Sequence, residues 1–457
     1  MKTVRHMAVD LLVRIDSSNA YSNEILDSAI KKNSLSESDQ RLLTRIFYGV
    51  LENKILIDYY ISILSKIKIT KLHEKILNTI RIAIYQIVFL DNIPFSAAVN
   101  ESVKIANVTN KHSSGFVNGV LRNFIRKYEK GLLALPGEED STRNISVKYS
   151  LPEWLVKRLL EQFDYDSVIS MADSNNQAPP VSLRVNTLKT ERNELKRNLS
   201  SIGIETTESI HADDGLVVKK IENASITDNL YFKEGYYYIQ DEASMMVSEY
   251  FSPKPGTIVY DLCAAPGGKT THIAQIMAQS GRIRAFDLYE HRVISIRENA
   301  KRLGIEIIDA QRKDSAIKDA ELTGSADRVL IDVPCSGIGI LRRKPELRYR
   351  LKNNDLDDIV SIQSRLLDNA ALYVKNHGFI VYSTCTVNYN ENDKIIIDFL
   401  DKNKGFKLVD INKGKYPSIY KSFIPALDES IHTYPHRDNT DGFFICMIQK
   451  NIYKVDI

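Results

Sequence analysis

"VYDLCAAPGGKTTHIAQ", residues 259–275, decides how the second half of the chain folds. Valine and tyrosine lead in, a loop of small residues follows, and a helical run closes it. The stretch reads as strand, tight loop, helix. Gly267 and Gly268 let backbone N–H groups approach a ligand closely, and the helix start behind them favours polar or negative groups. The loop has neither the GxxxxGK[ST] pattern of a triphosphate loop nor the GxGxxG of a dinucleotide fold. A plain strand–helix turn has the same outline, so the neighbouring sequence must decide its use.

Four more β-rich runs follow: "RIRAFDL" (282–288), "IEIIDA" (305–310), "DRVLIDV" (327–333) and "GFIVYSTC" (378–385). Amphipathic helices separate them, "HRVISIRENAKRLG" (291–304) and the run 358–378, each ending in glycine. Such alternation predicts an α/β domain with a parallel, doubly wound sheet. Ligands of these sheets sit beyond the carboxyl ends of the strands. There the chain places Asp287, Asp314 and Asp332. A carboxylate at Asp287 can accept hydrogen bonds from both hydroxyls of a ribose. A lone aspartate after a strand is often a helix cap, but a glycine loop plus three strand-end aspartates points to a nucleoside pocket.

Two cysteines stand at the same ends, in "DVPCSGIGILRRKPELRYR" (332–350) and "YSTCTVNYNEN" (382–392). The chain holds only four, Cys263, Cys335, Cys385 and Cys446, in 457 residues. None forms a CxxC pair and no His/Cys set has zinc spacing, so neither a metal nor a disulfide framework is expected. The plain reading of each is a small buried hydrophobe, and Cys446, inside "GFFICMIQ", is assigned to it.

With 43% hydrophobic and 26% charged residues, the composition is that of a globular protein, and the length allows two or three domains. No apolar run approaches a membrane span. Charged residues break up the apolar part of the opening stretch, so no signal peptide is read there and a cytoplasmic setting is expected. Residues 1–130 carry 19 Lys+Arg against 12 Asp+Glu, a surplus the remainder offsets to a net +3. That segment has apolar residues at three- and four-residue spacing and reads as all-helical. Ser36 or Ser38 is the expected cap of one helix, and Pro94 and Ser96 are expected ahead of another. "LLALPGEEDSTRN" (132–144) reads as a linker. Beyond it, "SLPEWLVKRLLEQF", "VSLRVNTLK" and "NELKRNLSSIGIET" mix helices and short strands. The expected domains are 1–132, all-helical; 145–255, a small α+β module; and 256–452, the α/β domain.

"DLCAAPGGKT", "DVPCSGIG" and "YSTCTVNYNEN", in this order, resemble the RNA cytosine-5 methyltransferases that use S-adenosylmethionine. The likeness runs from about residue 149 to 450. "QRLLTRIFYGVLENK", "AVNESVKIAN" and "FVNGVLRNF" resemble the RNA-binding fold of the NusB antitermination factor. The fusion is similar to bacterial enzymes that methylate 16S ribosomal RNA. The resemblance implies a Rossmann-like methyltransferase sheet, with "FKLVDI" and "GFFICMIQK" as a late antiparallel pair. It implies that Cys263, Ala264, Ala265, Pro266, Gly267, Gly268 and Lys269 line the cofactor loop. It gives Asp287 the ribose, Asp314 the adenine side and Asp332 the edge of the target base. It makes Cys385 the nucleophile and Cys335 the second cysteine.

The chemistry needs such residues. Carbon 5 of cytosine is too weak a nucleophile to take a methyl group unaided, and a thiolate adding to carbon 6 makes it enamine-like. A second cysteine can then act as base or help release the enzyme. Spacing leaves open which cysteine attacks: DNA cytosine methyltransferases use the Pro-Cys residue, here Cys335, the RNA family the Thr-Cys residue, here Cys385. The basic run after Cys335, with Arg342, Arg343 and Lys344, is expected to hold RNA phosphates, against a merely exposed loop. Arg184, with Asn186, is expected to touch RNA as well. The expected partner is 16S ribosomal RNA, bound by a monomer without a membrane. The rival readings are a transfer-RNA methyltransferase and a mainly non-catalytic ribosome assembly factor.

Overall fold

The computed structural model describes residues 2–18, 20–137, 139–410 and 427–451. Two compact units divide the chain: residues 1–177 with 341–353, and residues 178–340 with 354–457.

The first unit is helical. Its central helix, Glu74–Phe89, is apolar nearly all round and is buried over Ile76, Ile80, Ile84 and Ile87. A helix of that pattern belongs inside a bundle, and Val4–Ser17, Glu37–Glu52, Phe95–Thr109 and Ser113–Tyr128 pack around it. Ser36 caps Glu37–Glu52, its hydroxyl accepting from the Asp39 N–H at 3.2 Å. Ser96 is not ahead of its helix: Phe95–Thr109 already begins after Pro94, whose fixed φ suits the position ahead of a first turn.

In the second unit, β1 (Ser182–Val185), β2 (Ile204–Glu208), β3 (Gly215–Ile221) and β4 (Tyr237–Ile239) form an antiparallel sheet in the order β2-β3-β1-β4. A larger sheet is built from β5 (Ile258–Asp261), β6 (Arg282–Asp287), β7 (Ile308–Arg312), β8 (Ala326–Asp332), β9 (Val374–Thr384), β10 (Phe406–Val409), β11 (Ile431–Thr433) and β12 (Phe443–Lys450). Its order is β10-β12-β9-β8-β5-β6-β7, with β11 paired to β12. The five strands β5 to β9 run parallel; β12 runs antiparallel to β9 and to β10. Ile411 of "FKLVDI" and residue 452 lie outside the described residues.

Alternate side chains go to opposite faces. Tyr260, Val329 and Ile380 pack with Leu366, Leu367 and Ala370 of Asp355–Tyr373 on one face. Val259, Leu330 and Val381 pack with Met246 and Ile273 on the other. Both faces are covered, which is why these strands read as continuous apolar runs. Each fully buried large side chain contributes about 1.5–3 kcal/mol. Gly378 does not end the preceding helix. The helix stops at Tyr373, and Gly378 lies within β9 where the β8 register slips between Ala326 and Arg328. No helix among the described residues is long and apolar enough to cross a membrane.

Candidate active site

The strand order reverses between β5 and β8, where an open α/β sheet leaves a crevice at its carboxyl end. Asp332, the last residue of β8, lies opposite Ser383 of β9, whose hydroxyl donates to Asp332 Oδ1 at 2.8 Å. From these paired positions the chain leaves both strands side by side. Cys335 and Cys385, fifty residues apart, therefore meet with their sulfurs 3.2 Å apart. Gly339 lets the loops close: its N–H donates to the Cys385 carbonyl at 3.0 Å, and a Cβ there would fall 2.0 Å from the Gly442 carbonyl oxygen. The hydrogen bond to Cys385, burial, and the nearby charges of Cys385 and Glu391 push the Cys335 thiol well above its usual range. Cys335 is therefore held as a thiol.

The glycine loop crosses the end of β6. Ala264 N–H donates to the Phe286 carbonyl at 2.9 Å and Ala265 N–H to Asp287 Oδ2 at 3.3 Å. Pro266 is held through its carbonyl, which accepts from Asn299 Nδ2 at 3.0 Å. Gly267 takes φ +100°, open only to glycine at low cost, and starts the helix Gly268–Ile276. Asp287 is 5% exposed. Among the described residues its carboxylate meets the Ala265 N–H, the Tyr289 N–H at 3.3 Å and Arg292 Nη1 at 3.6 Å. Asp314 is exposed and accepts from the Ala316 N–H at 3.0 Å. Cys263 borders the loop, its thiol held protonated by burial and by Asp261, Asp332 and Asp287. Lys269 does more than line the loop: its ammonium reaches Asp332 Oδ2 at 2.7 Å.

Two arginines expected at RNA are buried instead. Arg184 is 1% exposed, and its guanidinium donates to Gln240 Oε1, the Gly268 carbonyl and Thr271 Oγ1. Burial pulls it down to about 9, still charged at neutral pH. It braces the first turn behind the glycine loop from within the protein. Asn186 is likewise internal, bridging the Gly235 and Leu303 carbonyls at 2.8 and 2.9 Å. Arg342 is 4% exposed; Arg343 and Lys344 are half-buried, with Lys344 Nζ 3.9 Å from the centre of the Tyr21 ring. The basic run is not an exposed loop, because Arg342 is buried and Arg348 and Arg350 face backbone carbonyls of the helical unit. Arg348, for example, bonds the Glu52 and Asn175 carbonyls at 2.9 and 2.7 Å.

Two further acidic residues stand at the site. Asp261, the last residue of β5, is buried; its Oδ2 accepts from Thr270 Oγ1 at 2.7 Å while Oδ1 has no hydrogen-bond partner among the described residues. Burial raises its pKa to about 7. Glu391 is fully buried and bonds both cysteine loops. The only sequence signal for it was its place in "YNEN".

The chain has known counterparts over all its parts. The family described as 16S rRNA methyltransferase RsmB/F matches residues 248–449. The NusB family matches residues 2–126, and the RsmF/B-like ferredoxin-like domain residues 151–224. "Probable ribosomal RNA small subunit methyltransferase B" of Bacillus subtilis (strain 168) is 36% identical over 98% of this chain and 99% of its own length. The protein of the same name from Synechocystis sp. is 33% identical over 98% and 100%. The crystal structure of PH0851 superposes with a TM-score of 0.81 at 30% identity, covering 98% of this chain and 99% of that one. A methyltransferase homolog from Pyrococcus horikoshii superposes at 0.58 and 30% identity, over 68% of this chain and 99% of that one. Relatives this similar over nearly their whole length, with family models matched in sequence along this chain, show that it belongs to the 16S rRNA methyltransferase RsmB/F family.

Proposed function

We propose that this protein transfers a methyl group from S-adenosylmethionine to carbon 5 of a cytosine in 16S ribosomal RNA, through a covalent adduct on Cys385. The observation that carries the reading is the pair of sulfurs 3.2 Å apart beside the Asp332–Lys269 ion pair. The names of the relatives supply the RNA. The working parts are residues 1–132 and 145–255 as RNA-binding modules and 256–452 as the catalytic domain, in a cytoplasmic monomer. Arg343 and Lys344 remain the phosphate contacts of this reading.

The residues at the glycine loop fit the cofactor. Asp287 has acceptor capacity left for two hydroxyls, Gly267 and Gly268 keep side chains out of the cradle, and Asp261 Oδ1 is a buried oxygen without a partner among the described residues. Asp314 stands at the next strand end for the adenine side. S-adenosylmethionine, when bound there, supplies an electrophilic methyl group.

The chain's own residues do the rest. The Cys385 thiolate forms a bond to carbon 6, and the displaced π electrons make carbon 5 nucleophilic. Asp332 and Lys269 give the base edge one acceptor and one donor. After methylation a base removes the carbon 5 proton, the C–H electron pair restores the double bond, and the bond from sulfur to carbon 6 breaks. Cys335, as a protonated thiol, hydrogen-bonds the departing Cys385 thiolate and makes it a better leaving group.

Cysteine variants test this with 16S RNA transcript and labelled S-adenosylmethionine. Cys385→Ala should lose turnover and form no adduct. Cys335→Ala should methylate once and accumulate a protein–RNA complex that survives denaturing electrophoresis and requires the cofactor. Trapping by Cys385→Ala rather than Cys335→Ala would reverse the roles; trapping by neither would end the covalent reading.

A further inference from the structure

Glu391 is a buried carboxylate whose partners are all neutral donors. Its Oε2 accepts from the Ser336 N–H at 2.8 Å and from Gln363 Nε2 at 3.2 Å. Its Oε1 accepts from Ser336 Oγ at 2.6 Å and Asn388 Nδ2 at 2.9 Å. Its own carbonyl accepts from the Tyr382 hydroxyl at 2.6 Å. Ser336 follows Cys335 directly, Asn388 lies three residues past Cys385, and Gln363 also donates to the Pro334 carbonyl at 3.0 Å. One side chain thus joins the loop of each cysteine and the helix Asp355–Tyr373 behind them.

Burying a carboxylate without a cation is costly, and an isolated structural tie would be served by a neutral side chain. Here the acceptor-only character matters. Two donors on Ser336 and one each on Asn388, Gln363 and, at 3.5 Å, Thr386 converge on two oxygens, which suits a side chain that brings acceptors and no amide donor. We propose that Glu391 is a positioning residue of the reaction, clamping the Cys335 loop onto the Cys385 loop so that Cys335 can assist release of the methylated RNA. The inference rests on the role read for Cys335 above. Glu391's negative charge also opposes ionisation of the Cys335 thiol, which agrees with a cysteine that works in its protonated form.

Glu391→Gln keeps the volume but turns an amide N–H₂ toward donors, so the Cys335 loop must shift. An ångström-scale misplacement slows a dependent step about a hundredfold. In the full-length chain, Glu391→Gln should therefore keep its first methyl transfer, slow its later turnovers about a hundredfold, and accumulate the cofactor-dependent covalent complex. Ser336→Ala, which deletes one donor and leaves the charge, should show the same partition in milder form. It serves as the test if Glu391→Gln fails to fold by circular dichroism. First transfer and later turnover falling in equal proportion, with no trapped complex, would overturn the proposal, as would unchanged turnover in either folded variant. Cys335→Ala run alongside separates the two ideas. If it traps RNA and the Glu391 and Ser336 variants do not, the positioning role fails alone. If it does not trap, the reading of Cys335 fails, and this inference with it.

Discussion

Asp287 shows how much of a site one side chain can carry. An ionised carboxylate offers about four acceptor positions, and here two long backbone contacts and a distant arginine occupy part of them. The unused capacity, at a strand end beside the glycine loop, suits a pair of ribose hydroxyls. Asp287→Ala should weaken S-adenosylmethionine binding by about 1.5–3 kcal/mol per lost charge-assisted bond, roughly ten- to a hundredfold. Titration calorimetry showing unchanged affinity would remove Asp287 from the pocket. Asp287 and Asp332 stand out in the sequence because each ends a strand, and the two cysteines because each follows a strand end within a contiguous motif. Glu391 does not, because its donors are drawn from positions 336, 363, 386 and 388. Those positions become neighbours only once β8 and β9 pair and the helix 355–373 packs behind them.

The helix Gly268–Ile276 places two titrations against each other. Its Thr270 holds Asp261, pushed up by burial to about 7 from 3.8. Its own His272 is buried and pulled down to about 4 from 6.5. A raised carboxyl contributes stability below pH 3.8 that is lost as pH climbs through 7. A depressed histidine contributes stability above 6.5 that is lost as pH falls through 4. Between pH 4 and 6.5 the two slopes oppose; across its own window the carboxyl amounts to about 4 kcal/mol and the histidine to about 3 kcal/mol. Asp261→Asn should leave the histidine slope, so that its stability relative to wild type rises with pH over this window. His272→Gln should leave the carboxyl slope, so that its relative stability falls. Urea midpoints at three pH values check the signs, and parallel curves for the two variants would refute the assignment. At this scale the sequence was a good guide to which elements exist and a poorer one to where they end. All five parallel strands were legible from apolar runs closed by polar residues. Ser96 and Gly378 were misread because Pro94 starts a helix ahead of Ser96, and because a slipped register holds a glycine inside a strand.

The segment 341–353 could not have been placed from the sequence. Arginines are rarely buried, so a run of them reads as a surface patch for RNA. In the folded chain this segment belongs to the helical unit of residues 1–177. Arg350 Nη2 donates to the Ser18 and Ala20 carbonyls at 3.0 and 2.6 Å, past the end of Val4–Ser17, where free carbonyls attract a cation. Glu346 Oε1 accepts from the Ser22 N–H at 3.0 Å at the start of Ser22–Asn33. Arg348, 1% exposed, bonds the Glu52, Tyr149 and Asn175 carbonyls and Asn176 Oδ1. Its planar fork serves four acceptors, which a lysine ammonium cannot match in geometry. Arg348→Ala strands buried carbonyls at about 1–3 kcal/mol each, so the full-length protein should lose about 3 kcal/mol or more, and Arg348→Lys should recover little of it. Urea unfolding of both variants checks this. A midpoint within error of wild type would mean that segment 341–353 rests on the helical unit without holding to it.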